Sequence, residues 1–434
     1  MMVHSRRRLT LGTALLAAAA MALTGCGTSG PGESSAAEAS AWATTGSVHE
    51  QIWKKSFETW NSENPDSEIA VEWFNNDAYK EKVRTAIGAG TGPSLVFGWG
   101  GGTLADYVDK GKVVDLTGKV DDLVARVLPS VVKNGMIGDK LYAVPNSQSQ
   151  PVVLYYNTEL FDEVGVEVPK TWDELLSAVD AFVDAGVTPF ALAGASKWPE
   201  LMWIQYLTDR IGGPEAFNAV LAGEDDAWSN PAIIEALEKI QELVDRGAFG
   251  NGFGSVVADT RADAALLHTG KAAMLLQGSW LYSSFLTDAP DFVDRGGLAT
   301  TSFPTIEGGA GDPADIVGNP ANYWSVSADA SEDVQKTVTS YLDEMVFSDD
   351  YTQQLIDGGG VPPVAGLEDA LAKSDNADFL TFAYDLVKNA PHFQLSWDQA
   401  LRPAQAQELL TNLDLVFLGK STPQQFADAM NGTL

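Results

Sequence analysis

Twelve tryptophans and a single cysteine are the residues whose chemistry is hardest to assign to packing alone. Trp99 stands among glycines in "GWGGG" (98–102), Trp280 follows "QGS", Trp324 follows "GNPANY", and Trp397 precedes Asp398 and Gln399. An indole on a loop beside polar residues offers a flat apolar face and one N–H donor. A sugar ring, with apolar C–H faces and a rim of hydroxyls, suits that surface. Trp198 and Trp203, which flank "PELM", are further candidates. Trp53 and Trp60 share a helical stripe with Ile52 and Phe57, and Trp172 opens a helix, so these three read as core. Catalytic patterns are absent. There is no G-x-S-x-G. His4, His49, His268 and His392 lack metal-ligand spacing. "LGKST" (418–422) imitates the end of a phosphate loop, but Asp414 stands where its first glycine is needed. None of the 59 acidic residues forms a distinguishable pair, so a secreted glycoside hydrolase stays open as an alternative. The expectation is a protein that binds without converting, with no cofactor and no metal.

Cys26 has no partner for a disulfide within the chain. Upstream of it, Arg6, Arg7 and Arg8 precede an apolar run from Leu9 to Leu23, followed by the small residues Thr24 and Gly25. That run is short for a membrane span, which needs about 20 apolar residues. The order resembles a bacterial lipoprotein signal with "LTGC" as its lipobox. The resemblance implies residues 1–25 as signal peptide, cleavage before Cys26, and a diacylglycerol on its sulfur. "SRRRL" also resembles a twin-arginine signal, leaving the export route open between the two systems. Residues 26–40 are small and polar and read as a flexible tether.

The chain after residue 25 would run 409 residues (434 minus 25), more than one core usually serves, so two domains are expected. Without the leader arginines it carries 24 basic against 59 acidic residues, a net of −35. Such a surface repels nucleic acid and anionic lipid. A binding protein for a polyamine would exploit the charge, and one for a peptide is a further alternative, but the loop tryptophans favour a neutral ligand.

Short apolar runs alternate with amphipathic helices, which predicts an α/β architecture with mostly parallel sheets. Strands are expected at 67–74, 93–99 and 151–157, the last an almost continuous apolar run suited to burial on both faces. "DAYKEKVRTAIGAGTG" reads as a helix closed by glycines. Thr171 and Glu174 form a capping box ahead of a helix ended by Gly186, and Asn230 with Pro231 opens another, ended by Gly247. From Ser331 onward the chain is expected to be mostly helical, with "GGGVPPV" (358–364) as a rigid turn.

"YAVPNSQSQPVVLYYNTELFDEVGVEVPKTWDELL" (142–176), "GKAAMLLQGSW" (270–280), "GGTLADYVDKGKVVDLT" (101–117) and the final "WDQALRPAQAQELLTNLDLVFLGKSTPQQFADAM" together resemble the extracytoplasmic carbohydrate-binding proteins of ABC transporters, the family of the maltose-binding protein. The resemblance implies a type II periplasmic-binding-protein fold: two lobes joined by hinge segments, with the ligand in the cleft between them. Crossings are expected near 147–151, 276–279 and 318–322. One lobe then takes 41–148 plus 279–320, and the other takes 149–278 plus 321–434.

Carried over by that resemblance, Asn75, Asn76 and Asp77 would bond hydroxyls, Asp77 being equally suited to capping the next helix. Trp99, Trp280 and Trp324 would stack on rings. Trp397 and Asp398 would close from the other lobe, Trp198 and Trp203 are secondary candidates, and Gln148 would sit at a crossing, touching ligand or hinge. The implied partners are a mono- or oligosaccharide and the permease subunits of a transporter. Xylobiose or a longer xylo-oligosaccharide is the first expectation, and cello- or chito-oligosaccharides the next. The protein would be a monomer on the extracytoplasmic face of the cell membrane, held only by the lipid at Cys26.

Overall fold

The computed structural model describes residues 39–46 and 48–434. The leader, Cys26 and most of the tether lie outside these residues. Ala39 and Ser40, expected in the tether, instead begin the first strand, because their backbone pairs with Ile69 and Ala70.

Among the described residues the strands are β1 Ala39–Thr44, β2 Ile69–Phe74, β3 Leu95–Gly98, β4 Met136–Ile137, β5 Lys140–Leu141, β6 Val144–Pro145, β7 Gln150–Asn157, β8 Thr188–Ala191, β9 Ala272–Gly278, β10 Leu298–Thr301, β11 Ile316–Asn319, β12 Tyr323–Val326 and β13 Phe393–Leu395. One sheet runs β2-β1-β3-β12-β6. A second runs β13-β11-β7-β9-β8, with β10 also on β7. Each is mixed rather than mostly parallel: β7 is antiparallel to β9, β10 and β11, and β12 is antiparallel to β3 and β6.

Each sheet carries its own core. Around the first pack Trp53, Phe57, Phe97, Trp324 and Tyr341. Along β7 the side chains alternate: Val152 and Leu154 join one core with Trp203 and Phe190, while Val153 and Tyr155 join another with Phe285 and Phe379. This is the burial on both faces that its apolar run demands. The capping box at Thr171 and Glu174 is present, and Gly186 and Gly247 take left-handed backbone (φ 74° and 77°) where their helices stop.

Among the described residues the chain passes between the sheets three times. Residues 146–149 lead from β6 to β7, residues 320–322 lead from β11 to β12, and residues 356–361 follow Leu355 of the first core. These crossings are tied together: Asn146 donates to the Asn322 carbonyl (2.8 Å), and Asn322 N–H donates to Ser147 Oγ (3.0 Å). Ser149 and Val361 form an isolated bridge.

Two expectations are corrected here. No crossing occurs at 276–279: β9 runs into Ser279–Leu281 and the helix Tyr282–Asp288, whose Tyr282 and Phe285 pack in the second lobe. The lobe boundaries therefore move. β10 and β11, within the expected 279–320 of the first lobe, pair with β7 of the second. Conversely β12 and the helix Glu332–Met345, within the expected 321–434 of the second lobe, belong to the first, where Val334, Val338, Tyr341 and Leu342 meet its core. An apolar stripe says that a helix must be covered, not which sheet covers it.

Candidate ligand-binding site

The parallel strands β1, β2 and β3 all deliver their carboxyl ends to one edge of the first lobe, the usual place for a ligand in such sheets. Thr44 and Thr45 end β1, Asn75 follows β2, and Trp99 follows β3. The helix Asn76–Ala89 starts at that edge and carries Lys80; Gly90, at φ 71°, closes it. Facing them across a groove are Trp198 and Met202, the 258–263 segment, Gln277, Trp280 and Ser284 of the second lobe, with Ser396, Asp398 and Gln399 beside them. Gln150 at the start of β7, Asn319 at the end of β11 and Asn322 in a crossing segment complete the lining of a cavity of about 150 Å³.

The lobes touch across this groove. Ser196 Oγ donates to Asp77 Oδ2 (2.9 Å), and the Asp77 N–H donates to Asp259 Oδ2 (3.0 Å). Lys80 Nζ stands 3.3 Å from Asp398 Oδ2, 5.1 Å over the Trp99 ring and 5.9 Å over the Trp198 ring. The glycines of "GWGGG" permit a closer approach. Gly100 and Gly101 have φ of 79° and 60°, and a Cβ on Gly102 would lie 2.2 Å from the Leu401 carbonyl oxygen of the other lobe. Gly278 has a similar task, since the Trp280 ring lies where its Cβ would be.

Charges on the cavity wall are satisfied within the protein. Arg261 Nε is 2.7 Å from Asp288, Lys80 holds Asp398, and Asp263 accepts from Gln277 Nε2 (3.0 Å) and the Ala264 N–H. Burial pushes the Asp263 and Asp259 carboxyls up from the ordinary carboxylate range. Burial holds His49, also on the wall, down at about 3, so it is neutral near pH 7. What remains for a ligand is indole surface and uncharged polar groups, including Asn319 Oδ1 and Asn322 Oδ1, which lack hydrogen-bond partners among the described residues.

Of the residues singled out from the sequence, Asn75, Asn76, Trp99, Trp198, Trp280 and Asp398 line this cavity. Asp77 borders the adjoining space and bridges the lobes instead of capping its helix by side chain. The others are elsewhere. Trp324 is fully buried, its ring centroid 5.4 Å from Trp53 and 5.7 Å from Phe97. Its loop-like neighbour "GNPANY" leads straight into β12, whose inward side it occupies. Trp397 is buried and stacked on Phe217 at 4.2 Å, and Trp203 meets Phe190 edge-on at 4.8 Å. Gln148 is buried in a crossing, with its amide against Gly360 and away from the cavity. These four expectations fail because an indole beside polar residues in sequence can still point into a core. Missed were Lys80, Gln150, Asp259, Asp263, Gln277, Asn319 and Asn322. Gln277 carried a signal, as the one amide in the otherwise apolar strand "AAMLLQG". Asp259 and Asp263, in a run with no periodicity, carried none.

No group of His, Cys, Asp or Glu suited to a metal occurs among the described residues, and no described helix is long and apolar enough to cross a membrane.

Two α/β lobes joined by three crossing segments, with a polar and aromatic groove between them, define a receptor that captures a small molecule. The chain belongs to the bacterial extracellular solute-binding protein family, whose pattern matches residues 46–353. It is a substrate-binding transport protein and not an enzyme. It is similar to the xylose/arabinose-binding protein XacG of Haloferax volcanii, 27% identical over 346 residues, which cover 76% of this chain and 69% of that one. Two other relatives, from Pyrococcus horikoshii and Rhizobium meliloti, are matched over 46% and 44% of their length. A structure solved in work on xylan utilization by the thermophilic bacterium Caldanaerobius polysaccharolyticus superposes with a TM-score of 0.81 at 31% identity, over 91% of this chain and 99% of that one. A chitin oligosaccharide binding protein shares the fold, with a TM-score of 0.77 at 21% identity over 91% and 97% of the two chains.

Proposed function

We propose that this chain is the sugar-binding receptor of an ABC importer, that it captures a neutral oligosaccharide between its lobes, and that a lipid on Cys26 holds it at the extracytoplasmic face of the membrane. The observation that carries the reading is the set of Trp99, Trp198 and Trp280 on one cavity whose two basic groups are already ion-paired, Lys80 with Asp398 and Arg261 with Asp288. An anionic ligand would need a free cation there, and Asp259 and Asp263, their pKa raised by burial, are already taken up by hydrogen bonds from the Asp77 N–H, the Gln277 amide and the Ala264 N–H. Neutral rings need indole faces, amides and hydroxyls. Three stacked contacts at about 0.5–1.5 kcal/mol each beyond burial, with several hydrogen bonds at about 1 kcal/mol, reach the roughly −8 kcal/mol of micromolar binding.

Groups from both lobes reach the ligand together only in the closed arrangement, so the ligand favours closure by its extra affinity there. The closed form is what the membrane subunits recognise, and a monomer suffices. The lipid keeps the receptor near its transporter and raises its effective concentration. Xylobiose or another xylo-oligosaccharide is the first candidate. It is supported by likeness to the protein from the xylan-utilization work and to the xylose/arabinose-binding protein. Cello- and chito-oligosaccharides come next.

The test is a thermal-shift and calorimetric screen against neutral di- and trisaccharides, with a polyamine and a peptide as controls. A true ligand at 100 times its dissociation constant adds about 2.7 kcal/mol of stability. A shift with the controls and none with any sugar would refute the assignment, and release of reducing ends would restore the hydrolase reading.

A further inference from the structure

A second cavity, of about 300 Å³, lies against the first in the same interlobe groove. The two share Lys80, Trp99, Trp198, Asp398 and Gln399 as a common wall. That wall includes the ion pair between Lys80 and Asp398, which reaches from one lobe to the other. The inner chamber is smaller than the about 300–1,000 Å³ of ligand pockets in general; joined to the outer one it falls within that range. The outer chamber mixes apolar surface from Val83, Tyr107 and Leu410 with polar groups from Thr103 and Gln407, and its charged groups are partnered within the protein: Arg84 with Glu81 at 3.1 Å, Lys197 with Asp414 at 3.3 Å, and Asp77 with Ser196 at 2.9 Å. This is the same kind of mixture as in the inner chamber, and it includes faces of the same two indoles.

We propose that the outer chamber is an extension site for further neutral pyranose rings of the captured glycan, and that the Lys80–Asp398 pair is a movable partition which the longer glycan displaces. The proposal rests on the reading of the protein as a glycan receptor. Lys80 can swing aside at little cost, because its four-carbon stem rotates freely and its ammonium is already part-exposed. A hydroxyl between the two charges then bonds to both, so neither is left unpartnered. Disaccharides would fill the inner chamber and leave the partition shut. Trisaccharides and longer chains would open it and gain the stacking and burial of the outer chamber.

The experiment is isothermal titration of the full chain with xylobiose, xylotriose and xylotetraose. It is repeated with Thr103→Trp and Gln407→Trp, which fill the outer chamber from opposite lobes. In the native protein the longer ligands are expected to bind about tenfold more tightly than the disaccharide, the worth of roughly one stacked and hydrogen-bonded ring. Each filled variant is expected to lose most of that gain, so that its affinities for the three ligands converge. No gain with length in the native protein, or an undiminished gain in the filled variants, overturns the proposal while leaving the receptor reading intact. Binding of none of the three in a folded native protein removes this glycan series and the extension site together. Should both variants misfold, a crystal structure of the native protein with xylotetraose decides: a third ring between Tyr107 and Leu410 supports the proposal, and a third ring in solvent overturns it.

Discussion

Replacing Gly102 by alanine adds one methyl group at a close backbone approach between the lobes. The new Cβ would lie 2.2 Å from the Leu401 carbonyl oxygen and 2.7 Å from that of Ala400. These are backbone atoms, so no rotamer relieves the clash. Restoring ordinary contact at about 3.4 Å requires the lobes to separate there by about 1.2 Å (3.4 minus 2.2). Three cross-lobe contacts stand nearby: Ser196 to Asp77 at 2.9 Å, Asp77 N–H to Asp259 at 3.0 Å, and Lys80 to Asp398 at 3.3 Å. A displacement of that size takes all three beyond hydrogen-bond range. At about 1 kcal/mol each, closure loses about 3 kcal/mol, and sugar affinity is expected to fall roughly 100-fold. The backbone of Gly102 is not left-handed, and alanine is favoured over glycine in a helix by about 1 kcal/mol, so folding itself should survive. Calorimetric titration with the best sugar measures the affinity, and small-angle scattering with and without ligand measures compaction. A Gly102→Ala protein that binds with native affinity and compacts normally would show that closure does not pass through this contact.

The tryptophans separate into two classes that mutation should distinguish. Trp99→Ala and Trp280→Ala are expected to weaken sugar binding about tenfold or more with little change in unfolding temperature, whereas Trp324→Ala should cost about 3–5 kcal/mol of stability; titration and thermal melts read both. Glu200 is fully buried, neither carboxylate oxygen has a hydrogen-bond partner among the described residues, and burial, with Asp414 nearby, pushes it up to about 9. The folded state therefore keeps its proton while the unfolded state releases it above about 4.5, so stability falls as pH rises from there towards 9. Glu200→Gln mimics the neutral form and should stabilise by about 3 kcal/mol at pH 7, with the gain vanishing below pH 4.5. Equal melting temperatures of the two proteins at pH 7 would contradict this. Cys26→Ala is expected to release the protein from the cell membrane without altering sugar affinity, which fractionation and mass spectrometry of the native amino terminus would check.

Local physics made much of the fold readable in advance. The capping box at Thr171 and Glu174, the asparagine and proline that open the helix Pro231–Asp245, and the glycines that stop both helices act over three or four residues, so the chain states them outright. The doubly buried β7 was legible for the same reason, since its run of apolar residues leaves no polar face to put in water. Of the residues that line the candidate cavity, Trp99, Trp198 and Trp280 were legible as indoles beside polar residues, and Asn75, Asn76 and Asp398 only through the family resemblance.

What the sequence determined by itself was the kind of many of the elements and the chemistry on offer: indoles, amides and abundant acids, with no catalytic pattern. Only the tertiary structure decided which sheet each returning segment joins, and so that β10 and β11 lie with β7 while β12 and the helix after it lie with β3. It also decided which indoles meet the groove and which meet a core. Trp324 and Trp280 have similar neighbours in sequence, yet one is enclosed by Trp53 and Phe97 and the other lies over Gly278 at the cavity. Turns and caps depend on contacts a few residues apart. The direction a side chain faces depends on partners hundreds of residues away, and those are brought together only when both cores close.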